Sequence, residues 1–151
     1  MFPFTITLKR IIDFNEEKEE EILIYFKKEL KARDADYFTM INNELRFKND
    51  ILKFGNNLSL MAIVDSGIIK LNNLYLSKKE IMYKFRLIKV FVISILFAIF
   101  AFYLSSHIWI GLVTFLWLGV LNWIIAIIRN IFMFNELVSN LIISKILINN
   151  N

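Results

Sequence analysis

The chain of 151 residues contains no cysteine, one histidine, one proline and four glycines. The lack of cysteine excludes disulfides, thiolate nucleophiles and cysteine-based metal or redox sites. The single histidine, His107, leaves no histidine pair to hold a metal ion. The sequence also has no glycine-rich phosphate loop and no nucleophile elbow. We therefore expect a protein that is not an enzyme, with no catalytic, cofactor-binding or metal site.

Charged residues are almost missing between residues 87 and 128, where Lys89 is the one formal charge. A helix crosses the hydrocarbon core of a bilayer with about 20 mostly apolar residues. Residues 87–104 and 108–128 therefore predict two transmembrane spans, with Lys89 snorkelling from the first. Ser105-Ser106-His107 predicts a short turn between them. The alternative, two core helices of a soluble protein, is disfavoured because a domain of this size cannot bury two helices that are apolar all round.

Basic residues concentrate just before the first predicted span, whereas the turn between the spans has no formal charge. The positive-inside rule therefore places both termini in the cytoplasm and the protein in the cytoplasmic (inner) membrane. Residues 1–77 are nearly neutral, so we expect the partner of these bases to be anionic lipid headgroups and not nucleic acid. The predicted lipid-headgroup collar consists of Lys78, Lys79, Lys84, Arg86 and Lys89.

Residues 1–77 have the pattern of an α+β head. Alternation of apolar and polar residues from Phe4 to Lys9 predicts a half-buried strand. Glutamates between residues 16 and 21, bases between 27 and 33, and an apolar side between them predict an amphipathic helix. Short β-prone runs follow, including residues 58–64. The predicted turns between these runs are Asn42-Asn43, Asp65-Ser66-Gly67 and Asn72-Asn73.

The predicted fold is thus one helix on an antiparallel β-meander, joined to a two-helix transmembrane hairpin. Ser77-Lys78-Lys79-Glu80 has the spacing of a capping box, so the first membrane helix is expected to begin at Lys78. A last strand through Tyr83 is the alternative. The predicted parts are the head (1–77), the hairpin (78–130) and a C-terminal amphipathic helical tail (131–151) that lies in the membrane interface or packs on the head. Residues 1–80 are expected to fold alone.

Each span has one side of small or weakly polar residues, which let membrane helices approach closely. Asn122 is the one strongly polar residue well inside a span, and we expect it to face protein, together with Gly119 and Ala126. The contact lies either within the hairpin or between protomers. The predicted helix-packing or oligomer contacts are Ser94, Ala98, Ala101, Gly111, Thr114, Gly119, Asn122 and Ala126.

A structured head without catalytic groups, fused to a membrane anchor, favours a membrane-anchored binding or adaptor module. Its partner would be a cytoplasmic protein or a small ligand bound by the head. The alternative is a self-assembling membrane effector or channel, whose hairpins oligomerise into a pore. Two spans are too few to enclose a pathway in a monomer, so this alternative requires a homo-oligomer.

Overall fold

The computed structural model describes residues 4–13, 19–50, 63–75 and 78–149. An antiparallel five-stranded sheet with one helix comes first, and a long helical region follows. The elements are β1 (Thr5–Asp13), α1 (Glu19–Ala32), β2 (Phe38–Ile41), β3 (Glu44–Lys48), β4 (Ser66–Tyr75), β5 (Lys78–Arg86), α2 (Ile88–Ser105), α3 (Ile108–Phe115), a π-helical turn (Leu116–Leu121) and α4 (Asn122–Asn149). The α+β character predicted for the N-terminal part is confirmed.

The strands lie in the order β1-β5-β4-β3-β2, and every neighbouring pair is antiparallel. The turn between β2 and β3 lies at Asn42-Asn43, as predicted, and Asn42 has the positive φ of 50° that asparagine tolerates. The β1 strand pairs along its whole length with β5, so β5 lies between the first strand of the chain and β4. The sheet is therefore completed by residues beyond the predicted head.

The predicted turn at Asn72-Asn73 is wrong, because both residues lie inside β4. They pair with Glu80 and Lys79 of β5, and the Asn72 amide donates to Glu80 Oε1 at 3.0 Å. A register shift between Asn73 and Tyr75 accommodates the irregular end of this pairing. Of the strand predicted over residues 58–64, residues 58–62 lie outside the described residues, and residues 63 and 64 are not in a strand. The turn predicted at Asp65-Ser66-Gly67 is wrong, because Ser66 and Gly67 begin β4 and pair with β3.

The predicted helix start at Lys78 is also wrong, since Lys78–Arg86 form β5. The alternative of a strand through Tyr83 is right and extends to Arg86. Ile81, Tyr83 and Phe85 are buried at alternate positions. This period of two fits a strand with one buried side, and pairing with two neighbouring strands satisfies backbone groups that a helix start would leave open.

The core lies between one face of the sheet and two helices. The buried side of α1 consists of Ile22, Leu23, Phe26 and Leu30, as predicted. The second helix is α4, which buries Met133, Phe134, Leu137, Val138 and Leu141 of its middle part. Tyr83 stacks on Phe134 with ring centroids 5.6 Å apart, and Tyr25 donates to the Leu137 carbonyl at 3.1 Å. The C-terminal tail therefore packs on the head.

Gly67 in β4 allows the closest approach in this core. A Cβ at this position would lie 2.4 Å from two atoms of the Phe47 ring, which crosses over it. The Phe47 ring lies in turn 6.4 Å from the ring of Tyr83. A glycine at this position therefore lets a row of aromatic rings lie close to the sheet.

Two helices are long and apolar enough to cross a membrane: Ile88–Ser105, and a continuous helix of 37 residues over Ile108–Ser144. The second comprises α3, the π-helical turn and most of α4. Ser106 joins the two helices in the left-handed conformation, with φ 56°, and its N–H donates to the Phe102 carbonyl at 2.8 Å. The same continuous helix thus belongs to the apolar pair at one end and to the core of the head at the other.

Candidate functional site

The outer face of the sheet, opposite α1 and α4, is the candidate functional site. Cross-strand partners in an antiparallel sheet point to the same face, so the register fixes which side chains are there. None of the described side chains on this face is buried. The face is formed by Thr5, Thr7, Lys9, Ile11 and Asp13 of β1; Lys78, Glu80, Met82, Lys84 and Arg86 of β5; Ser66, Ile68, Lys70 and Asn72 of β4; Glu44, Arg46 and Lys48 of β3; and Thr39 and Ile41 of β2.

Four bases occupy the half of the outer face that adjoins α2. Arg86, Ser66 and Lys48 are in register across β5, β4 and β3, and the next row on this face contains Lys84, Ile68 and Arg46. The remaining members of the two rows are Thr5, Thr7 and Thr39. These two rows contain no acidic residue. We call Arg46, Lys48, Lys84 and Arg86 the basic quartet.

The far half of the outer face carries balanced charge. Lys9 lies 3.2 Å from Glu80, Lys70 lies 3.2 Å from Glu44, and Lys78 lies 4.0 Å from Asp13. Hydrogen bonds from Arg46 and then Lys70 hold the pKa of Glu44 below its usual value. The Asn72 amide, followed by Lys9, lowers the pKa of Glu80. The rows that contain bases and no acidic residue are therefore at the end of the face near α2.

The bases of the quartet differ in whether an acidic side chain already binds them. Arg46 donates from Nε and Nη2 to Glu44 at 3.1 and 2.7 Å. Lys48, Lys84 and Arg86 are exposed, and within the described part of the chain they form no ion pair. Three of the four side chains therefore have charge to offer to an anionic ligand.

The quartet has the dimensions of a small anion site. Neighbouring strands lie about 4.8 Å apart, so bases on β3 and β5 with β4 between them are about 10 Å apart at the backbone. Two residues along a strand span about 7 Å. Ser66 and Ile68 lie between the bases. Long side chains at the corners of such a rectangle can converge on one phosphate-sized group above Ser66.

Asp65 joins this end of the sheet to α2. Its carboxylate accepts hydrogen bonds from the backbone N–H groups of Ile88 and Lys89. The Leu87 side chain that precedes α2 offers no cap of its own. Burial raises the pKa of Asp65, and the two N–H groups act against that rise. Asp65 thus supplies the negative charge that a helix N-terminus favours.

The predicted lipid-headgroup collar does not form one cluster. Lys78 lies in the far half of the outer face, and Lys79 lies 3.7 Å from Glu19. Lys89 is 6% exposed and its Nζ donates to the Asp50 carbonyl, so this ammonium is directed toward the head and away from the outer face. This part-buried bond to Asp50, two residues after β3, holds the ammonium in the head.

The structure brings Lys84 and Arg86 together with two bases that the sequence analysis did not single out, Arg46 and Lys48. The alternation of apolar and basic residues in β3 could have indicated them, because Leu45 and Phe47 are buried and Arg46 and Lys48 are exposed. Their position beside β5 depends on strand order, which the alternation does not contain.

The small residues of the apolar helices meet at two places. Gly119 lies against Ser94, whose Cβ and Oγ would be 3.2 and 3.3 Å from an added Cβ. Gly111 lies against the Ala98 carbonyl and the Phe102 Cβ, at 3.1 and 3.2 Å from an added Cβ. The other predicted contact residues are placed as follows: Ala126 is buried, Ala101 is half-buried, and Thr114 is half-buried and donates to the Ile110 carbonyl at 2.8 Å.

Asn122 differs from its expected position. It is exposed, whereas Gly119 and Ala126 are buried, and its amide donates to the Leu118 carbonyl of the same helix at 2.8 Å. The π-helical turn Leu116–Leu121 immediately precedes it. This turn contains more residues per revolution than an α-helix, so it shifts the angular position of Asn122 from the one that regular helical spacing predicts.

Comparisons with known protein families, curated proteins and solved structures find no match for this chain. Among the described residues, no group of three histidines, aspartates or glutamates could hold a metal ion. Function is therefore inferred from the geometry and charge of the outer face.

Proposed function

We propose that the protein is a membrane-anchored binding module that presents the basic quartet at the cytoplasmic surface of the inner membrane. The observation that carries this proposal is the separation of charge on the outer face. The two rows of the outer face nearest α2 contain four bases and no acid, and balanced ion pairs lie in the rows beyond them. An excess of one sign of charge on an open surface favours a ligand or protein partner of the opposite sign.

The anchor consists of the two apolar helices. With α2 and the continuous second helix crossing the bilayer, both would enter it from the same end of the head. Arg86, the last residue of β5, lies two residues before the first residue of α2. The uncharged turn at Ser106-His107 would lie on the far side, and the bases near α2 on the cytoplasmic side. In this arrangement the quartet would lie next to the membrane surface.

The connection between head and anchor also supports the proposal. One residue, Leu87, separates β5 from α2, and its N–H donates to the Phe4 carbonyl at 2.9 Å. The Phe4 ring contacts the Phe91 ring of α2, with centroids 5.1 Å apart. A binding face on such a head would keep a fixed orientation relative to the bilayer.

Binding of an acidic peptide to the full chain tests the proposal. The protein is placed in nanodiscs of neutral lipid, and binding of a fluorescent peptide of ten glutamates is measured by anisotropy at increasing salt. We expect binding that weakens with salt, and at least tenfold weaker binding by K48Q/K84Q/R86Q.

The matched control is K27Q/K28Q/K31Q, which removes the same charge from exposed positions of α1. It should bind the peptide as the unchanged chain does. Absence of binding, or equal loss in both triple variants, would contradict a specific role of the quartet.

A second candidate function is a self-assembling membrane effector or channel. The observation that favours it is Asn122, an exposed amide in a helix apolar enough to cross a membrane. Its one described hydrogen bond uses the amide nitrogen, so the side-chain oxygen has no donor within the described residues. An acceptor left in hydrocarbon is costly, and a second copy could supply the donor. The oligomeric state of Asn122→Leu tests this candidate.

A further inference from the structure

We infer that the basic quartet binds the phosphate group of an anionic phospholipid in the leaflet that α2 enters. This inference rests on the proposed function and names the chemical class of its ligand. It requires that the bases converge, that their chemistry suits phosphate, and that a headgroup of the same membrane is within reach.

Convergence follows from the register. Arg86 and Lys48 occupy one row on the outer face and Lys84 and Arg46 the next, with β4 between each pair. The bases therefore surround Ser66 and Ile68 and do not run along one strand. A single anionic group above β4 can contact bases from both sides, whereas a linear row would favour an extended polymer.

The chemistry of the quartet suits a phosphate group. Arginine presents a planar set of N–H donors that matches phosphate oxygens, and lysine supplies a point charge. Arg86 is exposed and forms no ion pair among the described residues; its charge also acts on Asp65, whose carboxylate is bound to the N–H groups of Ile88 and Lys89. The half-buried Ser66 adds a hydroxyl donor between the bases. Phosphate oxygens can thus be met by charge and by directed hydrogen bonds.

The position of the quartet favours a lipid as the source of the phosphate. The row that contains Arg86 and Lys48 also contains Thr5, which follows Phe4, and the Phe4 ring packs on Phe91 in the first turn of α2. This row therefore lies at the level where α2 begins. Headgroups occupy roughly 5–8 Å on each side of the hydrocarbon core, a distance that extended lysine and arginine side chains cover.

Charge complementarity also favours the near leaflet. The anionic surface of the cytoplasmic leaflet attracts nearby Lys and Arg, and its potential decays within a Debye length of about 8 Å at physiological salt. Arg86 lies two residues before α2, Lys48 shares its row and Lys84 lies one row farther, whereas the neutralised pairs lie still farther along the strands. The part of the face that is rich in bases would therefore be the part nearest the anionic lipid headgroups.

Native mass spectrometry of the full chain in detergent tests the inference. Phosphatidylglycerol or phosphatidylcholine is titrated in, and glycerol phosphate is titrated in a third series. We expect phosphatidylglycerol to bind at least tenfold tighter than the other two. The K48Q/K84Q/R86Q variant should lose this preference, and K27Q/K28Q/K31Q should keep it, with cooperative thermal unfolding confirming that both variants are folded.

Three outcomes would overturn the inference. Equal binding of both lipids removes the requirement for an anionic headgroup, and persistence of the preference in K48Q/K84Q/R86Q places the lipid elsewhere. Glycerol phosphate bound as tightly as phosphatidylglycerol assigns the quartet to a free phosphate ligand. Any of these results combined with quartet-dependent binding of the acidic peptide would reject the lipid while leaving the binding module intact.

Discussion

Asp65 shows how one side chain fixes the point at which the sheet ends and α2 begins. The first N–H groups of a helix have no partner within it, and Asp65 accepts from two of them. Its own N–H donates to the Arg86 carbonyl at 2.9 Å, which ties it to the end of β5. The sequence could not assign this role, because Asp65 lies 23 residues before Ile88 and caps a helix to which it does not belong.

Asn122 is the residue whose environment separates the two candidate functions. In a self-assembled form its side chain would bond to a second copy, and such a bond contributes about 0.6–2 kcal/mol between membrane helices. We then expect Asn122→Leu to weaken association by roughly 3- to 30-fold. Single-molecule photobleaching in nanodiscs and analytical ultracentrifugation in detergent measure this change.

Thr114→Val is the control for Asn122→Leu, because it removes a polar group from the same continuous helix. Thr114 already donates to the Ile110 carbonyl, so its loss should leave the oligomeric state unchanged. A strictly monomeric unchanged chain would reject the self-assembling effector outright. Oligomers that persist in Asn122→Leu would remove Asn122 from the contact.

At the scale of elements, the sequence predicted what local periodicity determines. Alternation indicated β1, charge and apolar spacing indicated α1, Asn42-Asn43 indicated the β2–β3 turn, and length with hydrophobicity indicated the apolar helices. The errors occurred where partners distant in sequence decide the structure. The capping-box spacing at residues 77–80 predicted a helix start, but β5 forms there because it pairs with both β1 and β4. Pairing with β5 also keeps Asn72 and Asn73 in a strand.

The position of β5 changes the expectation that residues 1–80 fold alone. A fragment of residues 1–77 lacks the strand that β1 and β4 both pair with, and it also lacks the α4 side chains Met133 and Phe134 in the core. We expect this fragment to show no cooperative thermal unfolding by circular dichroism. The full chain in detergent should unfold cooperatively.

The fragment of residues 1–86 separates the effect of losing β5 from the effect of losing the α4 side chains. It restores β5 but not α4, so we expect it to collapse without the close packing of Tyr83 against Phe134. Cooperative unfolding of residues 1–77 would contradict this account, because the head would then be complete without either element.

At the scale of the whole molecule, the head and the apolar helices form one unit. The continuous second helix runs from the turn at His107 into the core of the head. Tyr83 of the sheet donates to Asn130 of α4 at 3.0 Å, and both side chains are buried. The basic quartet is consequently held at a fixed place beside the start of α2. The sequence predicted two of its members from their position before the first span, and strand order supplied the other two.

Cysteine labelling of the full chain tests most directly whether the quartet faces the cytoplasm on a membrane-spanning anchor. The chain has no cysteine, so single substitutions Lys48→Cys and His107→Cys report two defined positions. A membrane-impermeant maleimide is applied to intact cells and to permeabilised cells that express each variant. We predict that His107→Cys is labelled in intact cells and Lys48→Cys only after permeabilisation. Labelling of Lys48→Cys in intact cells, or of both positions only after permeabilisation, would contradict the account.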